Sequence, residues 1–224
     1  KLKAEGKGVP GLVAILVGED PASKVYVGMK EKACIEAGLY SKIDRLSADT
    51  SELELLKLIE AYNNDEKIHG ILVQLPLPKH INEDAIIEAI SPTKDVDGFH
   101  PINVGKMVIG KETLYPCTPH GVVELLKRYD IETKGKHVVV VGRSNIVGKP
   151  VANMLLQKKA GANAVVTVVH SAAKDLASIT KQADILIAAI GVPEFIKADM
   201  VKDDVVIIDV GVNRVEDSTK EKWL

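Results

Sequence analysis

A run of four consecutive valines at residues 138–141 is the sequence feature that most constrains the fold of this chain. The run has neither a helical period nor a polar alternation, which is typical of a strand buried on both faces in a parallel sheet covered by helices. Gly142 ends the strand, and Gly148 and Pro150 open a helix. The polar loop between them then lies at the carboxyl end of the strand, where a doubly wound sheet binds a dinucleotide against free helical N–H groups. The spacing is not G-x-G-x-x-G, so a plain strand-to-helix turn is the alternative.

Composition excludes several classes of protein. The chain has 224 residues, of which 46% are hydrophobic and 27% are charged, so it allows one large or two small globular domains. A formal net charge of -2 provides no basic surface for nucleic acid or for a membrane. No apolar run approaches the roughly 18 residues that a membrane span needs. We therefore expect no nucleic-acid partner and no membrane partner.

Cysteine and histidine usage bears on the compartment and on metals. Cys34 and Cys117 are the only cysteines, which indicates a reducing compartment rather than a disulfide framework. His100 and His120 have no metal-ligand spacing with other histidines or cysteines, so we assign no metal. We expect a cytoplasmic protein, and because the chain starts at Lys1 rather than Met, trimmed ends and an organellar targeting peptide stay open.

Strand-like and helix-like segments alternate along the chain, which predicts α/β units with parallel sheets. Asp20 and Pro21 are typical of a helix start, and Thr50 or Ser51 would cap the next helix. Prolines and glycines over residues 91–119 predict a connection without regular elements, after which Thr118 would cap a helix. We predict two α/β domains flanking a cleft, the second a Rossmann-like doubly wound parallel sheet. The predicted strands cover residues 12–17, 43–46, 71–75, 138–141, 165–169, 185–190 and 205–210.

Two polar side chains in the first domain are candidates for chemistry. On a helical wheel Lys30 falls within an uncharged arc, one turn after Tyr26. An ammonium in a dry cleft loses hydration, which lowers its pKa and makes it a usable proton carrier, whereas the ordinary alternative is a solvated lysine. Gln74 interrupts the apolar run 71–75, and if buried it needs a hydrogen-bond partner outside the sheet backbone. The alternative is a glutamine that points into solvent.

Asp95 and Asp97 follow in the segment KDVDGFH. Either carboxylate is a candidate for binding, and the alternative is that one of them caps a turn around Gly98. Cys117, between Pro116 and Thr118, is interpreted as structural.

Candidate cofactor-binding residues follow every predicted strand of the second domain. They would lie close together because the carboxyl ends of parallel strands form one rim. No acidic residue follows the second of these strands, where an NAD enzyme places one for the ribose hydroxyl. Arg143 and Ser171 are instead suited to a ribose phosphate, which favours NADP. The residues in question are Arg143, Ser144, His170, Ser171, Gly191, Pro193, Gly211, Val212 and Asn213.

Six segments, in order, resemble the bifunctional methylenetetrahydrofolate dehydrogenase/cyclohydrolase family. They are PASKVYVGMKEKAC, GILVQLPLP, KDVDGFHPINVG, YPCTPHG, VGRSNIVGKP and IDVGVN. The resemblance implies a folate-binding catalytic domain over residues 1–117 and an NADP-binding Rossmann-like domain over residues 118–224, usually in a homodimer. The family's Pro-Gly-Gly-Val-Gly-Pro-Met segment and an early N-terminal helix have no match in this sequence, so the activity is expected of the intact protein.

The resemblance also implies roles for particular residues. Lys30 would be the catalytic lysine, Tyr26 would stack on the folate, Gln74 would tune Lys30, and Asp97 would bind the amino edge of the pterin. The residues implied for the folate site, catalytic and binding together, are Tyr26, Lys30, Val73, Gln74, Leu75 and Asp97. The residues implied for the phosphates and ribose of NADP are Gly142, Arg143, Ser144, Ser171 and Val212, with Gly142 and Val212 approaching through their backbone.

The implied reaction oxidises methylenetetrahydrofolate with NADP and then hydrolyses the methenyl product to formyltetrahydrofolate, in one-carbon metabolism. One alternative is another two-domain NAD(P) dehydrogenase of the shikimate or amino-acid type, which would not need the set of Tyr26, Lys30 and Gln74. The other alternative is a catalytically silent nucleotide-binding module.

Overall fold

The computed structural model describes residues 5, 6 and 8–212. The described residues divide into two compact units. One unit comprises the residues up to Gly105 together with Thr113–Tyr115, and the other comprises Lys106–Glu112 and the residues from Pro116 onward. Each unit contains a parallel sheet whose strands alternate with helices, which confirms the predicted α/β class. Within the described part, no helix has both the length and the apolar composition needed to cross a membrane.

The first unit has a parallel sheet in the order β2-β1-β3. The central strand β1 is buried on both faces, with Val13 and Ile15 in one apolar cluster and Ala14 and Leu16 in another. This burial explains why residues 12–17 have no polar alternation. The elements are β1 (Gly11–Val17), α1 (Pro21–Glu36), β2 (Tyr40–Leu46), α2 (Glu52–Asn64), β3 (Gly70–Val73) and α3 (Glu83–Ala89), followed by α4 (Pro101–Val108), of which residues up to Gly105 belong to this unit.

The helix starts that the sequence predicts in this unit are confirmed. The Asp20 side chain accepts a hydrogen bond from the Ser23 N–H at 2.7 Å, which satisfies a free donor in the first turn of α1. Ser51 and Glu54 form a reciprocal capping box at the start of α2. Gly38 follows α1 with a φ of 71°, a conformation that glycine adopts without strain.

Two expectations for residues 91–119 are wrong. Helix α4 forms where we predicted no regular element, because Pro101 lies in the first turn, where its missing N–H is not needed. His100 caps this turn, since its Nδ1 accepts a hydrogen bond from the Ile102 N–H at 3.1 Å. Thr118 does not cap the next helix, α5 (Cys117–Arg128), but lies inside it, and the N-cap residue Pro116 makes no side-chain cap bond.

The second unit has a parallel sheet in the order β5-β4-β6-β7. The four valines of β4 are each at most 1% exposed, which confirms the predicted burial. Val138 and Val140 pack with apolar residues of α5 and α6, while Val139 and Val141 pack with the cluster that includes α7, so helices cover both faces. After α5, the elements are β4 (His137–Val141), α6 (Gly148–Leu156), β5 (Val165–Val169), α7 (Leu176–Thr180), β6 (Ile185–Ala188), a 3-10 helix (Ala198–Met200) and β7 (Val206–Asp209).

Candidate functional site

A hydrogen bond joins the two candidate side chains Lys30 and Gln74, which are 44 residues apart. Lys30 Nζ donates to Gln74 Oε1 at 3.1 Å. Gln74 follows β3 directly, and its backbone N–H donates to the Ile15 carbonyl at 2.9 Å, so the sheet fixes its position. Its Nε2 donates to the Leu75 carbonyl at 2.8 Å. An ammonium can only donate and a carbonyl can only accept, so these partners fix the orientation of the amide with its oxygen toward Lys30.

The uncharged arc of α1 that includes Lys30 is only partly buried. The buried residues of the helix are Ser23, Val27 and Cys34, and Lys30 is half-buried beside them. Tyr26, one turn earlier, is 46% exposed. The lysine is therefore partly shielded while the tyrosine ring remains accessible to a ligand.

The two aspartates of the KDVDGFH segment have different environments. Asp95 is buried, and its Oδ2 accepts hydrogen bonds from the His100 backbone N–H at 2.8 Å and from Asn103 Nδ2 at 2.9 Å. Asp97 is half-buried and makes no hydrogen bond to any part of the chain that the structure describes. The turn-anchoring alternative thus describes Asp95, and Asp97 keeps its acceptor oxygens for a ligand.

Asp97 is one of the residues that line a small cavity whose wall is mostly apolar. Val73 and Leu75, which we predicted to line the substrate pocket, lie in its wall. Burial raises the pKa of Asp97 to about 6, the ammonium of Lys30 opposes that rise, and the carboxylate of Asp95 adds to it. A carboxyl that titrates this close to neutral pH inside a cavity is typical of a functional site.

The carboxyl ends of the second unit's strands lie level with one another. Val141 of β4 pairs with Val169 of β5 and with Ala188 of β6. Arg143 and Ser171 therefore each lie two residues beyond the paired Val141 and Val169. Both of these side chains are exposed, and neither has a partner within the described residues. The predicted rim of strand ends is therefore present.

Glycines make the loop after β4 compact. Gly142 has a φ of 124°, and a Cβ there would lie 2.2 Å from the Ala189 carbonyl oxygen. A Cβ on Gly148, at the start of α6, would lie 2.3 Å from the Gly142 carbonyl oxygen. Since real Cβ atoms do not approach that closely, only glycine allows this close packing of backbone.

The start of α6 differs from our expectation of free N–H groups. Ser144 Oγ accepts hydrogen bonds from the backbone N–H groups of Val147 at 3.1 Å and Gly148 at 3.2 Å. The hydroxyl thus satisfies two helical donors that we had expected to face a phosphate, and its own hydrogen is left to donate. Val212, also predicted for the cofactor, is 77% exposed beyond β7, and Asn213 lies outside the described residues.

One residue that sequence reasoning missed is Asn103. Its Nδ2 donates to Asp95 and also to the Pro92 carbonyl at 2.8 Å, and its Oδ1 accepts from Thr113 Oγ1 at 2.8 Å. The only signal was its place in the segment KDVDGFHPINVG, because its partners are distant in sequence or form part of an irregular loop.

Comparison with known proteins assigns the family. The tetrahydrofolate dehydrogenase/cyclohydrolase catalytic domain matches residues 1–97, and the NAD(P)-binding domain of the same family matches residues 116–223. The chain belongs to the tetrahydrofolate dehydrogenase/cyclohydrolase family. The resemblance of the six sequence segments is thereby confirmed, and the chain is an enzyme of this family rather than a silent nucleotide-binding module.

Relatives in this family are similar over most of the chain. The bifunctional protein FolD of Moorella thermoacetica is 61% identical over 215 residues, which cover 96% of this chain and 75% of the relative. A crystal structure of the bifunctional enzyme FolD from Campylobacter jejuni has a TM-score of 0.91 at 50% identity, covering 96% of this chain and 75% of that one. The FolD of Trypanosoma brucei, complexed with NADP cofactor and an inhibitor, has a TM-score of 0.90 at 37% identity, covering 98% and 74%.

The alternative of a shikimate-type dehydrogenase receives no such support. Shikimate 5-dehydrogenase from Thermus thermophilus has a TM-score of 0.56 at 18% identity, covering 88% of this chain and 77% of that one, which shows a shared fold alone.

Proposed function

We propose that this protein oxidises methylenetetrahydrofolate to methenyltetrahydrofolate with NADP and hydrolyses that product to formyltetrahydrofolate. The single observation that carries the proposal is the 3.1 Å hydrogen bond from Lys30 to Gln74 in a chain of this family. It places an oriented amine at the carboxyl end of the first sheet, close enough to Asp97 to act on its pKa. Relatives named bifunctional protein FolD support both halves of the reaction.

The folate is bound by Tyr26, Asp97 and the apolar wall of Val73 and Leu75. The exposed face of Tyr26 offers a flat surface for stacking on a pterin or aryl ring. Neither oxygen of the ionised Asp97 carboxylate has a donor within the described residues, which suits the paired N–H groups along the amino edge of a pterin. Because the cavity around Asp97 is apolar, these hydrogen bonds form away from water and are strengthened by the low local dielectric.

Lys30 moves protons during hydrolysis of the methenyl product. Gln74 occupies one of the three hydrogens of the ammonium and thereby aims the remaining two. Hydration of a cation and opening of its ring need a group that accepts and returns protons, whereas hydride transfer depends mainly on positioning. We therefore assign Lys30 to ring opening more than to oxidation.

The rim of the second sheet binds NADP. When bound, NADP accepts a hydride from the substrate. The guanidinium of Arg143 and the hydroxyl of Ser171 start from neighbouring strands and suit a ribose phosphate, while no carboxylate follows β5 to bind an unphosphorylated ribose. The Ser144 hydroxyl, which accepts from two backbone N–H groups, donates its one hydrogen to a phosphate oxygen, and Gly142 and Val212 bring backbone close to the nucleotide. The Trypanosoma brucei FolD, which contains NADP, supports this choice.

Replacement of Lys30 tests the function. We expect Lys30→Met to lower cyclohydrolase turnover by about 100-fold or more, since general acid–base groups contribute on that scale. Dehydrogenase turnover should change by less than about 10-fold, because positioning by Tyr26 and Asp97 is kept. Both steps are followed in one trace, as the absorbance of the methenyl product rises and decays in the presence of NADP.

A matched control is Lys32→Met on the same helix, where the side chain is 80% exposed and pairs with Glu36. This variant should leave both steps unchanged. Loss of dehydrogenase activity with intact cyclohydrolase activity in Lys30→Met would contradict the assignment.

We also propose that the protein is a cytoplasmic homodimer. Strand β5 is an edge strand within the described sheet, and its Val165 and Val168 are 61% and 40% exposed. An exposed apolar edge is normally covered, and a second copy of this chain is the occupant that the family resemblance favours. Cys34 and Cys117 form no disulfide within the described residues, which suits a reducing compartment. Light scattering on the wild type and on Val165→Lys tests the dimer, which should dissociate in the variant.

A further inference from the structure

The segment around Asp97 is anchored on both sides. Before it, residue Ile71 of β3 forms a bridge with Asp95, and the Ile71 N–H donates to the Lys94 carbonyl at 2.7 Å. After it, the chain turns at Gly98, which has a φ of 68° and donates its N–H to the Asp95 carbonyl at 3.2 Å. Asp97 therefore lies in a short turn that starts beside β3 and closes on the Asp95 carbonyl.

The Asp95 side chain makes the second attachment. It is 2% exposed, and one oxygen accepts both the His100 N–H and the Asn103 amide. Asn103 is itself bonded to Pro92 and Thr113, so the carboxylate lies at the centre of a network that joins the residues before and after Asp97. A charged group at such a buried position is costly unless it is hydrogen-bonded, and its neutral amide analogue has almost the same shape.

We propose that Asp95 is the positioning residue for Asp97: its buried carboxylate ties the turn to α4 and places a negative charge near the carboxyl that binds the folate. This inference rests on the proposed function of Asp97. Asp95 itself touches no substrate in this assignment, so it acts through Asp97 alone.

The charges that face Asp97 come from two places. Lys30 on α1 favours its ionised form and Asp95 disfavours it. The other residues around its cavity, contributed by β3, α3 and the loop, are apolar: Ile71, Val73, Leu75, Ile86, Ile87, Ile90 and Phe99. The balance between one cation and one anion, in a dry surrounding, decides at which pH Asp97 can accept both N–H groups of a pterin.

The test is the pH dependence of KM for methylenetetrahydrofolate in Asp95→Asn. In the wild type KM should rise as the pH falls through about 6, because Asp97 gains a proton and loses an acceptor. Without the neighbouring charge, the midpoint of this rise should move about half a pH unit or more toward acid, so the variant keeps its affinity where the wild type loses it. A merely structural role would raise KM equally at every pH.

Three further variants isolate the effect. In an Asp97→Asn background, Asp95→Asn should no longer move any midpoint in the profile. Asn103→Ala keeps the charge of Asp95 but removes the hydrogen bonds of the Asn103 side chain. The melting temperature should therefore fall, while the midpoint of the KM profile should not move toward acid. Glu60→Gln, which removes an exposed charge from α2, should leave the profile unchanged. An unmoved midpoint in Asp95→Asn, or a shift that persists in the Asp97→Asn background, overturns the proposal.

If Asp95→Asn does not fold, the positioning role of Asp95 is tested on the wild-type protein. Amide hydrogen exchange should then show that the His100 N–H, which donates to the Asp95 carboxylate, is protected in the wild type. A His100 N–H that exchanges as fast as an unbonded amide overturns the proposal. The absence of any turnover of methylenetetrahydrofolate by the wild type would instead refute the proposed function, which keeps the two failures distinct.

Discussion

In the first unit the candidate site is made of side chains that bond to or act on one another, whereas in the second unit it combines close backbone contacts with exposed side chains that do not bond to one another within the described residues. Lys30 bonds to Gln74, and Asp97 is influenced by both Lys30 and Asp95. Arg143 and Ser171 are exposed and unpaired within the described residues, next to a loop that only Gly142 allows. The difference follows from the chemistry, since proton transfer needs tuned and oriented groups, while phosphate binding needs accessible donors and a backbone that approaches closely.

The largest effect expected in the second unit comes from its backbone. Gly142→Ala would place a Cβ 2.2 Å from the Ala189 carbonyl oxygen at a φ of 124°, so the loop or β6 must move. We expect a loss of about 3 kcal/mol or more in the free energy of unfolding, measured by denaturant titration.

A matched control is Gly121→Ala in α5, where a Cβ meets nothing within 4 Å. This variant should be neutral or gain about 0.5–1 kcal/mol, because alanine is the better helix former. Equal stability of Gly142→Ala and the wild type would show that close backbone packing does not define this site.

The next effect concerns the exposed guanidinium of Arg143. Arg143→Ala should raise KM for NADP by about 10- to 100-fold, as expected for loss of a charge-assisted hydrogen bond, and leave KM for the folate unchanged. Initial rates with NADP and with NAD measure this change, and the preference for NADP should fall by a similar factor. Arg128→Ala on α5, whose side chain is 78% exposed, is the control. An equal rise in KM for NADP and for NAD would show that Arg143 does not bind the ribose phosphate, and would contradict the role assigned to it in the second unit.

The smallest effect tests the tuning of the first site. Burial raises the pKa of Asp97 from 3.8 to about 6, so the folded state binds more protons than the unfolded state between these values. Stability therefore falls as the pH rises through this window, and the penalty is complete above it. Asp97→Asn should gain about 1–2 kcal/mol in unfolding free energy at pH 7.5 and less at pH 4, measured without ligand. A gain that is the same at both pH values would show that the carboxyl is not tuned.

Sequence alone predicts most of the fold because its signals are local. The four valines of β4 reveal burial by their lack of alternation, and Asp20 and Ser51 reveal helix starts by short-range bonds. Helix α4 was not predicted, because Pro101 and Gly105 indicate a break and the stabilising contacts of His100 come from a ring nitrogen and the buried Asp95. Local propensity cannot detect a bond that only the finished loop brings together.

The candidate site divides in the same way. The spacing of Tyr26 and Lys30 on one helix is visible in the sequence, but the partner of Lys30 is 44 residues away and required the structure. Likewise a serine after a strand is equally consistent with a phosphate ligand and with a helix cap, and Ser144 Oγ proves to accept from α6. The roles assigned to these residues stay predictions until the variants are measured.

The uniform valines of β4 have a consequence for how its sheet aligns. Sliding this strand by one position would exchange its two faces at little cost, since every side chain on either face is the same. The register of β4 must therefore be fixed by contacts at the two ends of the strand. At one tip the His137 N–H donates to Asp184 Oδ2 at 2.8 Å, and at the other Gly142 fits against Ala189 as no larger residue would. Gly142, at the start of the nucleotide loop, therefore also helps to fix the register of β4 against its neighbouring strands.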